Sequence, residues 1–425
     1  MTPHSTLDFD LQRFTLDNGL RVVLHRDASL PLVAVNLWYH VGSKNERPGR
    51  TGFAHLFEHM LFQGSEHIGT NDHFRYIQQV GGVANGSTWY DRTNYYETVP
   101  ANQLDLALWL ESDRMGWFLP ALTQQSLDNQ RDVVMNERRQ RVDNQPYGRA
   151  GETMHELLYP GGHPYGWPVI GYMEDIAAAT LEDVREFFRT YYTPNNAVLS
   201  VVGDFDPADA LSRVDAWFGE IPPGPAVEPV RPARTPLGQR RALIPDDVRL
   251  SRVYVGCRGP SYGERAWYAA DLLGGTLAGG KSSPLYKDLV YERRLAQDVG
   301  ISLGPYEAGG TFMVVATARP GVPAEELEGA LLGHLDAAAA APPEAGEVER
   351  ARNRMLTDYY SGIQRLDNLA DLLSQFTTYF DDPAAASAEA ATYLDLRPEE
   401  LMEYAAGWCS EPDRVVVSVV PRKAS

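Results

Sequence analysis

The feature that most constrains the fold of this chain is a pattern that occurs twice. Residues 180–204 and residues 396–421 of the 425-residue sequence share one layout: a helical stretch, a turn with proline, and an apolar strand. The two segments align at a constant offset of 218 residues, which pairs Pro194 with Pro412. An internal repeat of this kind predicts two structurally similar halves of about 200 residues each.

A proline-rich segment lies between the two halves. Residues 219–241 contain six prolines and almost no apolar periodicity, which is typical of an extended linker. We therefore predict an N-terminal domain at 1–218 and a homologous C-terminal domain at 242–425.

Both halves open with strand patterns. Residues 14–25 carry an Asn18-Gly19 hairpin signal, residues 30–42 form an apolar strand run, and residues 249–259 resemble that run in the second half. Helical patterns then alternate with short strands. The sequence thus predicts an α+β fold in which each half is a mostly antiparallel sheet covered by helices.

Composition excludes several classes of protein. The chain has 57 acidic and 38 basic residues, a net charge of −19, which is opposite to the charge of a nucleic-acid-binding surface. No apolar run approaches a membrane span, and the first residues lack the layout of a signal peptide. We expect a soluble, cytoplasmic protein, or a periplasmic one if the true start is longer. Cys257 and Cys409 are too few for a thiolate site, so a metal would need histidine and carboxylate ligands.

The strongest chemical signal is the segment at 52–62. His55 and His59 are four residues apart and face one side of a helix, and Glu58 points toward the same space. An isolated histidine on an apolar face is usually structural. Two histidines with a glutamate on an apolar helix are costly to bury without a ligand. The triplet predicts a zinc site with a carboxylate base beside it.

A third ligand must come from elsewhere, because catalytic zinc usually has three protein ligands. Residues 123–142 predict a helix that places Leu127, Gln130, Val134, Glu137 and Arg141 on one stripe. Glu137 therefore continues an apolar face, where it could bind the metal or equally form a salt bridge with a neighbouring arginine. The candidates for the third ligand are His67, His73, Glu97, Glu111 and Glu137.

The inverted H-x-x-E-H motif resembles that of the pitrilysin/insulinase metallopeptidases. The segments at 16–20, 81–88, 93–97, 163–166 and 192–196 are also similar to the branch with mitochondrial processing peptidases and bacterial zinc proteases. Glu137 follows His59 by 78 residues, close to the family spacing, so the resemblance implies that Glu137 is the third zinc ligand. Gln130 stands where the family has a glutamate that supports a ligand.

The resemblance implies a zinc endopeptidase that forms half of a clamshell and cleaves unfolded peptides. Glu58 would be the catalytic base. Asn85, Gly86 and Ser87 match the family's edge strand, which binds the substrate backbone. The same sequence pattern would also fit an ordinary hairpin strand without a role in binding. The alternative is a noncatalytic peptide-binding or assembly subunit, and the intact Glu58 favours the enzyme.

One departure from the family concerns the second half. Val290 and Gln297 stand where the family has an arginine and a tyrosine that donate hydrogen bonds to the substrate and the developing oxyanion. The resemblance therefore implies a homologous partner subunit that supplies the arginine and tyrosine, with a homodimer as the fallback.

A second motif points to nucleotide binding, but its context is wrong. Residues 275–282 satisfy the string G-x-x-x-x-G-K-S. A P-loop follows a strand, whereas the residues before this string predict a helix that ends at Gly274-Gly275. We do not expect nucleotide binding here.

Overall fold

The computed structural model describes residues 9–233 and 235–422, which form two compact units. Each unit includes a segment from the other half of the sequence. The domain boundaries predicted from the internal repeat, 1–218 and 242–425, stay a prediction, because the two units are defined by compactness and the predicted domains by sequence similarity. The first unit comprises residues up to 136, 168–230 and 360–389, and the second comprises 137–167, 231–359 and residues from 390.

The described residues form eleven strands. Apolar and β-branched side chains dominate the long strands, as the sequence patterns predicted. The strands are β1 Leu11–Thr15, β2 Arg21–Arg26, β3 Leu32–Tyr39, β4 Val83–Thr88, β5 Thr93–Pro100, β6 Ala197–Gly203, β7 Arg241–Asp246, β8 Arg252–Gly259, β9 Ala296–Gly304, β10 Gly310–Ala318 and β11 Arg414–Pro421.

Fifteen α-helices connect and cover these strands within the described ranges. Two π-helical turns also occur, at Arg139–Asp143 and Lys287–Glu292. The helices are α1 Phe53–Met60, α2 Asp72–Gln79, α3 Leu104–Ala121, α4 Gln124–Arg138, α5 Ala150–Leu158, α6 Met173–Ala177, α7 Leu181–Tyr191, α8 Pro207–Phe218, α9 Arg265–Ala278, α10 Pro284–Tyr286, α11 Ala324–Ala340, α12 Ala345–Ile363, α13 Leu366–Phe380, α14 Glu389–Asp395 and α15 Pro398–Trp408.

The first sheet has six strands in the order β1-β2-β6-β3-β5-β4, and the second has five in the order β7-β11-β8-β10-β9. The five strands of the second sheet correspond in order to β2-β6-β3-β5-β4 of the first, and β1 is the additional strand. In each sheet one pair is parallel, β2 with β6 and β7 with β11, and the remaining pairs are antiparallel. The α+β fold of two similar, mostly antiparallel sheets covered by helices is therefore confirmed.

Helices cover both faces of the first sheet. Val35 and Leu37 of β3 face the main hydrophobic core, whereas Trp38 faces α13, where its ring lies 5.7 Å from that of Tyr379. Coverage on both faces explains why β3 reads as a continuous apolar run rather than an alternating one. The second face of this sheet is supplied by a helix more than 300 residues later in the chain, and no local pattern encodes that contact.

The hairpin predicted at Asn18-Gly19 is present. β1 and β2 pair with Thr15 opposite Arg21, and Gly19 adopts a φ of 88°. The Asn18 side chain accepts a hydrogen bond from the Leu20 amide. The turn therefore uses both residues for the reasons that the sequence indicated.

The nucleotide-binding string begins inside a helix, because Gly275 lies within α9. The prediction that this helix ends at Gly274-Gly275 was wrong, since α9 continues to Ala278. A Cβ on Gly274 would lie 3.0 Å from the Ile301 side chain, so this glycine serves close packing against β9 rather than helix termination. Separately, none of the described helices is both long and apolar enough to cross a membrane.

Candidate active site

The helix α1 places His55, Glu58 and His59 in the first unit. Its first amides are capped by Glu46, whose two carboxylate oxygens accept hydrogen bonds from Gly52 N at 2.9 Å and Ala54 N at 2.8 Å. A carboxylate at a helix N-terminus stabilises the helix through the exposed amides and the helix dipole. Glu46 thereby fixes the start of the helix that carries the motif.

The motif histidines lie side by side with the carboxylate of Glu137. The rings of His55 and His59 are 4.8 Å apart, centroid to centroid. One ligand atom from each of His55, His59 and Glu137 lies within 4.8 Å of the other two, and all three residues are half-buried. Glu137 belongs to α4, which runs without a break from the core of the first unit to Arg138.

This donor set fits a divalent metal. Two imidazole nitrogens and one carboxylate oxygen are typical ligands of a catalytic zinc. Tetrahedral zinc holds its ligand atoms roughly 3.4 Å apart, so small side-chain rotations would bring the three atoms into place. Glu137 also lies 2.7 Å from Arg141 Nη1, although Arg141 is 75% exposed. The salt bridge with an arginine, one of the two alternatives anticipated for Glu137, is thus present, and the same carboxylate lies beside the two histidines.

The last two positions of the predicted stripe on α4 differ from the observed buried face. Leu127, Gln130 and Val134 are buried as expected, but Glu137 is half-buried, Arg138 is buried in its place, and Arg141 is exposed. The helix widens into the π turn at Arg139–Asp143, which moves Arg141 off the stripe. Gln130 is 8% exposed, so its neutral amide lies on the inner face of the helix that carries Glu137.

His67 lies apart from the motif histidines. Its Nδ1 lies 2.6 Å from Asp113 Oδ1, and its side chain is more than half exposed. The hydrogen bond to Asp113, and then the charge of Asp113, raise the pKa of His67. Among the described residues, His67 is not part of the group whose ligand atoms converge with His55 and His59.

His73, Glu97 and Glu111 form a separate buried cluster with Arg114. His73 Nε2 is 2.9 Å from Glu97 Oε1, and Arg114 Nη2 is 2.8 Å from His73 Nδ1. Burial, and then the nearby Arg114, lower the pKa of His73 well below its usual value. Burial, and then the neighbouring Glu111, raise the pKa of Glu97. Arg114 already supplies the cation of this cluster, which is best described as a structural polar network.

Glu58 is oriented by a residue of β4. The Thr88 hydroxyl donates a 2.6 Å hydrogen bond to Glu58 Oε2. Thr88 is the last residue of β4, directly after Asn85, Gly86 and Ser87. Sequence reasoning missed both Thr88 and Glu46 as site residues, and only the position of Thr88 next to the predicted substrate strand could have indicated it.

The strand β4, with Asn85, Gly86 and Ser87, is the outermost strand on its side of the first sheet. Exposed edge strands usually carry charges or proline to prevent pairing with other chains. β4 carries neither, and Val83 and Trp89 at its two ends are 67% and 47% exposed. This edge is therefore suited to pair with an extended peptide.

The turn after β4 determines which of its backbone groups point outward. Trp89 N donates to Arg92 O at 2.8 Å, so Trp89 and Arg92 are a hydrogen-bonded pair. In an antiparallel ladder, hydrogen-bonded and non-hydrogen-bonded pairs alternate. The alternation directs the backbone N–H and C=O groups of Thr88, Gly86 and Ala84 away from β5. Gly86 is buried, and its N–H donates to Asn85 Oδ1 at 2.9 Å.

The turn between β4 and β5 is held in place by contacts with residues 42–44. Lys44 Nζ lies 3.0 Å from Asp91 Oδ1, and both side chains are at most 5% exposed. Ser43 N donates to Trp89 O at 3.1 Å. A Cβ on Gly42 would lie 2.3 Å from Trp89 O, so the backbone approach requires glycine there. These contacts fix the end of β4 that holds Glu58 through Thr88.

The positions that depart from the family lie in the second unit. Val290 is 6% exposed and belongs to the π turn at Lys287–Glu292. Gln297, the second residue of β9, is exposed. Neither Val290 nor Gln297 carries the positive charge or the phenol of the corresponding family residues.

Comparison with known proteins identifies the family. Residues 21–165 match the profile of the insulinase family, peptidase family M16, and residues 178–355 match the profile named Peptidase M16 inactive domain. An uncharacterized zinc protease from Mycobacterium leprae is 33% identical over 322 residues, which cover 73% of this chain and 69% of the relative. The chain belongs to peptidase family M16. The resemblance inferred from the motifs is thus confirmed.

Two further M16 relatives match nearly the whole chain. The zinc protease PqqE of Helicobacter pylori is 29% identical over 422 residues, covering 96% of this chain and 92% of the relative. The crystal structure of a protease from Helicobacter pylori superposes with a TM-score of 0.90 at 27% identity, covering 97% of this chain and 100% of that one. The likeness to named zinc proteases supports a peptidase.

Proposed function

We propose that this M16 chain is a zinc-dependent endopeptidase that cleaves unfolded peptides. His55, His59 and Glu137 hold the metal, and Glu58 is the catalytic base. The observation that carries the proposal is the convergence of the three donor atoms within 4.8 Å, on the helix whose Glu58 is oriented by Thr88. The names of the M16 relatives support zinc as the cofactor.

Each residue has a distinct part in the reaction. Bound zinc supplies a Lewis acid for the scissile carbonyl and lowers the pKa of the attacking water. Glu58 accepts the proton of that water and passes it to the leaving amine. The hydrogen bond from Thr88 holds Glu58 Oε2 in place and so orients the carboxylate for proton transfer.

The substrate binds as an added strand. The outward backbone groups of Ala84 and Thr88 hydrogen-bond an extended peptide, which places its backbone beside the base that Thr88 holds. A folded protein cannot present such a strand, so substrates are unfolded. In this proposal the chain forms half of a clamshell, and a homologous partner closes the chamber.

Removal and return of zinc should test the metal assignment. With the homologous partner subunit present, the metal-free chain should not hydrolyse a quenched peptide, and one equivalent of zinc should restore turnover. Glu137→Gln should weaken zinc affinity by at least about 100-fold, because loss of a ligand costs more than the 10- to 100-fold loss typical of its supporting residues. Competition with a chelating dye measures that affinity.

Arg141→Ala is the matched control for Glu137, because it removes the exposed salt-bridge partner and leaves the carboxylate in place. Its zinc affinity should stay within about twofold of the parent chain, since exposed ion pairs contribute little. Equal loss from both substitutions, or unchanged zinc affinity in Glu137→Gln, would contradict the role of Glu137 as a ligand.

Strand addition can be tested on the substrate. In a series of peptides with one N-methylated amide each, binding should weaken at every second position, because alternate amides of an added strand face β4. Each lost hydrogen bond is expected to cost about 0.5–1.5 kcal/mol. Inhibition constants of the methylated peptides provide the measurement. A uniform loss at all positions would contradict strand addition.

The second candidate is a noncatalytic subunit that binds peptides. Val290 and Gln297 favour it, since both donor side chains of the family are replaced in this chain. Such a subunit has no need of Glu58, which is intact and hydrogen-bonded. Peptide binding without hydrolysis, even with zinc and every homologous subunit of the source organism added, would select this candidate.

A further inference from the structure

A carboxylate in the second half of the sequence is connected to the proposed substrate strand. Asp371 of α13 lies in the first compact unit and faces the sheet. Its Oδ1 accepts hydrogen bonds from Trp38 Nε1 at 2.7 Å, Asn94 Nδ2 at 2.9 Å and Asn36 Nδ2 at 3.3 Å. Three donors on one carboxylate oxygen hold this part of α13 against β3 and β5.

Asn94 links Asp371 to β4, because its side chain hydrogen-bonds to both. Its Oδ1 accepts hydrogen bonds from Ser87 Oγ at 2.7 Å and Arg92 Nη1 at 3.0 Å. Arg92 Nη1 also donates to the Ser87 backbone carbonyl at 2.8 Å and to the Ser87 hydroxyl. Asp371, Asn94, Arg92 and Ser87 therefore form one continuous network from α13 to the edge strand.

The hydrogen-bond partners of the Asn94 side chain, Asp371 and Arg92, determine the orientation of its amide. An ionised carboxylate only accepts hydrogen bonds, and a guanidinium only donates them. The Asn94 amide must therefore turn its nitrogen to Asp371 and its oxygen to Arg92. A flipped amide would place acceptor against acceptor and donor against donor. Asn94 is 1% exposed, so water cannot compensate for the wrong orientation.

The network reaches the base as well as the strand. Ser87 precedes Thr88, and Thr88 donates to Glu58. Burial lowers the pKa of Arg92, and the charges of Asp371 and, to a smaller extent, Glu58 favour its charged form against that effect. An edge strand that is fixed before the peptide arrives loses less conformational entropy on binding, which raises affinity.

We propose that Asp371 is a positioning residue for substrate, which acts through Asn94, Ser87 and Arg92 to hold β4 ready for strand addition. The inference rests on the proposed function of the site, since it concerns the binding of its peptide substrate. It assigns to the second half of the sequence a role in the site that the first half builds.

Asp371→Asn tests the proposal, because it keeps the size of the side chain and removes its charge. Binding is measured in the Glu58→Gln background by fluorescence anisotropy of a labelled, uncleaved peptide. We expect the peptide Kd of Glu58→Gln/Asp371→Asn to be at least about 10-fold higher than that of Glu58→Gln alone, since charge-assisted hydrogen bonds are the stronger class. Zinc content should be unchanged.

Ser374→Ala is the matched control on the same helix. Ser374 Oγ donates to Ser200 Oγ of β6 at 2.8 Å, and both side chains are fully buried. Its loss weakens the docking of α13 without touching Asn94 or Ser87. The peptide Kd of Glu58→Gln/Ser374→Ala should therefore stay within about twofold of Glu58→Gln, even if thermal unfolding shows a similar loss of stability for both helix variants.

A compensating pair makes the test specific to the network. Adding Asn94→Asp to Asp371→Asn moves the carboxylate to position 94, where it can accept from Ser87, Arg92 and the new amide at 371. This double change should recover most of the lost peptide affinity.

Equal affinity of Glu58→Gln with and without Asp371→Asn would overturn the role of Asp371, as would an equal loss from Ser374→Ala. If Glu58→Gln itself binds neither zinc nor peptide, the proposed function fails instead.

Discussion

Glu58→Gln should retain zinc and lose peptide hydrolysis by about 10²- to 10⁴-fold or more, because general acid–base catalysis contributes this much. Glu58 is not among the three residues whose donor atoms converge, so the substitution removes no ligand. A glutamine keeps the hydrogen bond from Thr88 but cannot accept the proton of the attacking water. Metal analysis and turnover of a quenched peptide measure the two properties on the same sample.

The histidine variants provide the contrast. His55→Ala and His59→Ala should each lose zinc and hydrolysis together, since each removes one of three ligands. The separation of the two effects in Glu58→Gln, and their coincidence in the histidine variants, is the signature of the proposed roles. Release of zinc by Glu58→Gln, or nearly normal turnover, would show that Glu58 has another role.

The local parts of the site could be read from the sequence. His55, Glu58 and His59 lie on one short helix, and a helix fixes the direction of side chains four residues apart. The hairpin at Asn18-Gly19 and the apolar strands are likewise local, since each depends on a turn or on neighbouring residues. The repeated order of the two sheets follows from a repeat that is visible in the sequence.

The parts that were missed depend on contacts between distant segments. The sequence of residues 366–380 predicts an amphipathic helix but not that it packs on β3 and β6, because its apolar face could pack on either sheet. Asp371 on that helix has no spacing signal. Glu46 is an exception in distance, since it lies six and eight residues before the amides that it caps, but no helix or strand period connects it to α1. Cys257 and Cys409 are another example: 152 positions apart, both are fully buried, and Cys409 contributes, after burial, to the raised pKa of the Cys257 thiol.

The stripe on α4 shows an intermediate case. Helical spacing placed Leu127, Gln130, Val134 and Glu137 on one stripe; the first three are buried and Glu137 is half-buried. The same spacing failed at Arg141, because the π turn changes the number of residues per turn. Periodicity is reliable while the helix is regular, and it fails where tertiary contacts alter the backbone.

The second large effect concerns the partner subunit. Val290 has no donor, and the amide of Gln297 is a neutral donor. Neither residue can give the charge-assisted hydrogen bonds that the arginine and tyrosine pair would give to the substrate and the oxyanion. Loss of one oxyanion donor typically lowers the rate by about 100- to 1000-fold. The isolated chain should therefore be nearly inactive, and a homologous subunit with the intact pair should raise kcat/KM by at least about 100-fold.

The two replaced positions allow a further test within this chain, because their environments differ. Gln297 is exposed at the start of β9, so Gln297→Tyr can be introduced without disturbing the core, whereas Val290→Arg would bury a guanidinium at a position that is 6% exposed. If a homodimer is the working form, Gln297→Tyr should raise its activity and Gln297→Phe should not, since only the phenol can donate. If a separate subunit supplies the pair, both substitutions should leave the activity of the complex unchanged.

Full activity of the purified chain, unaffected by a homologous subunit and by Gln297→Tyr, would exclude complementation by a partner. It would leave the zinc assignment intact, because the metal site and the oxyanion donors are chemically independent.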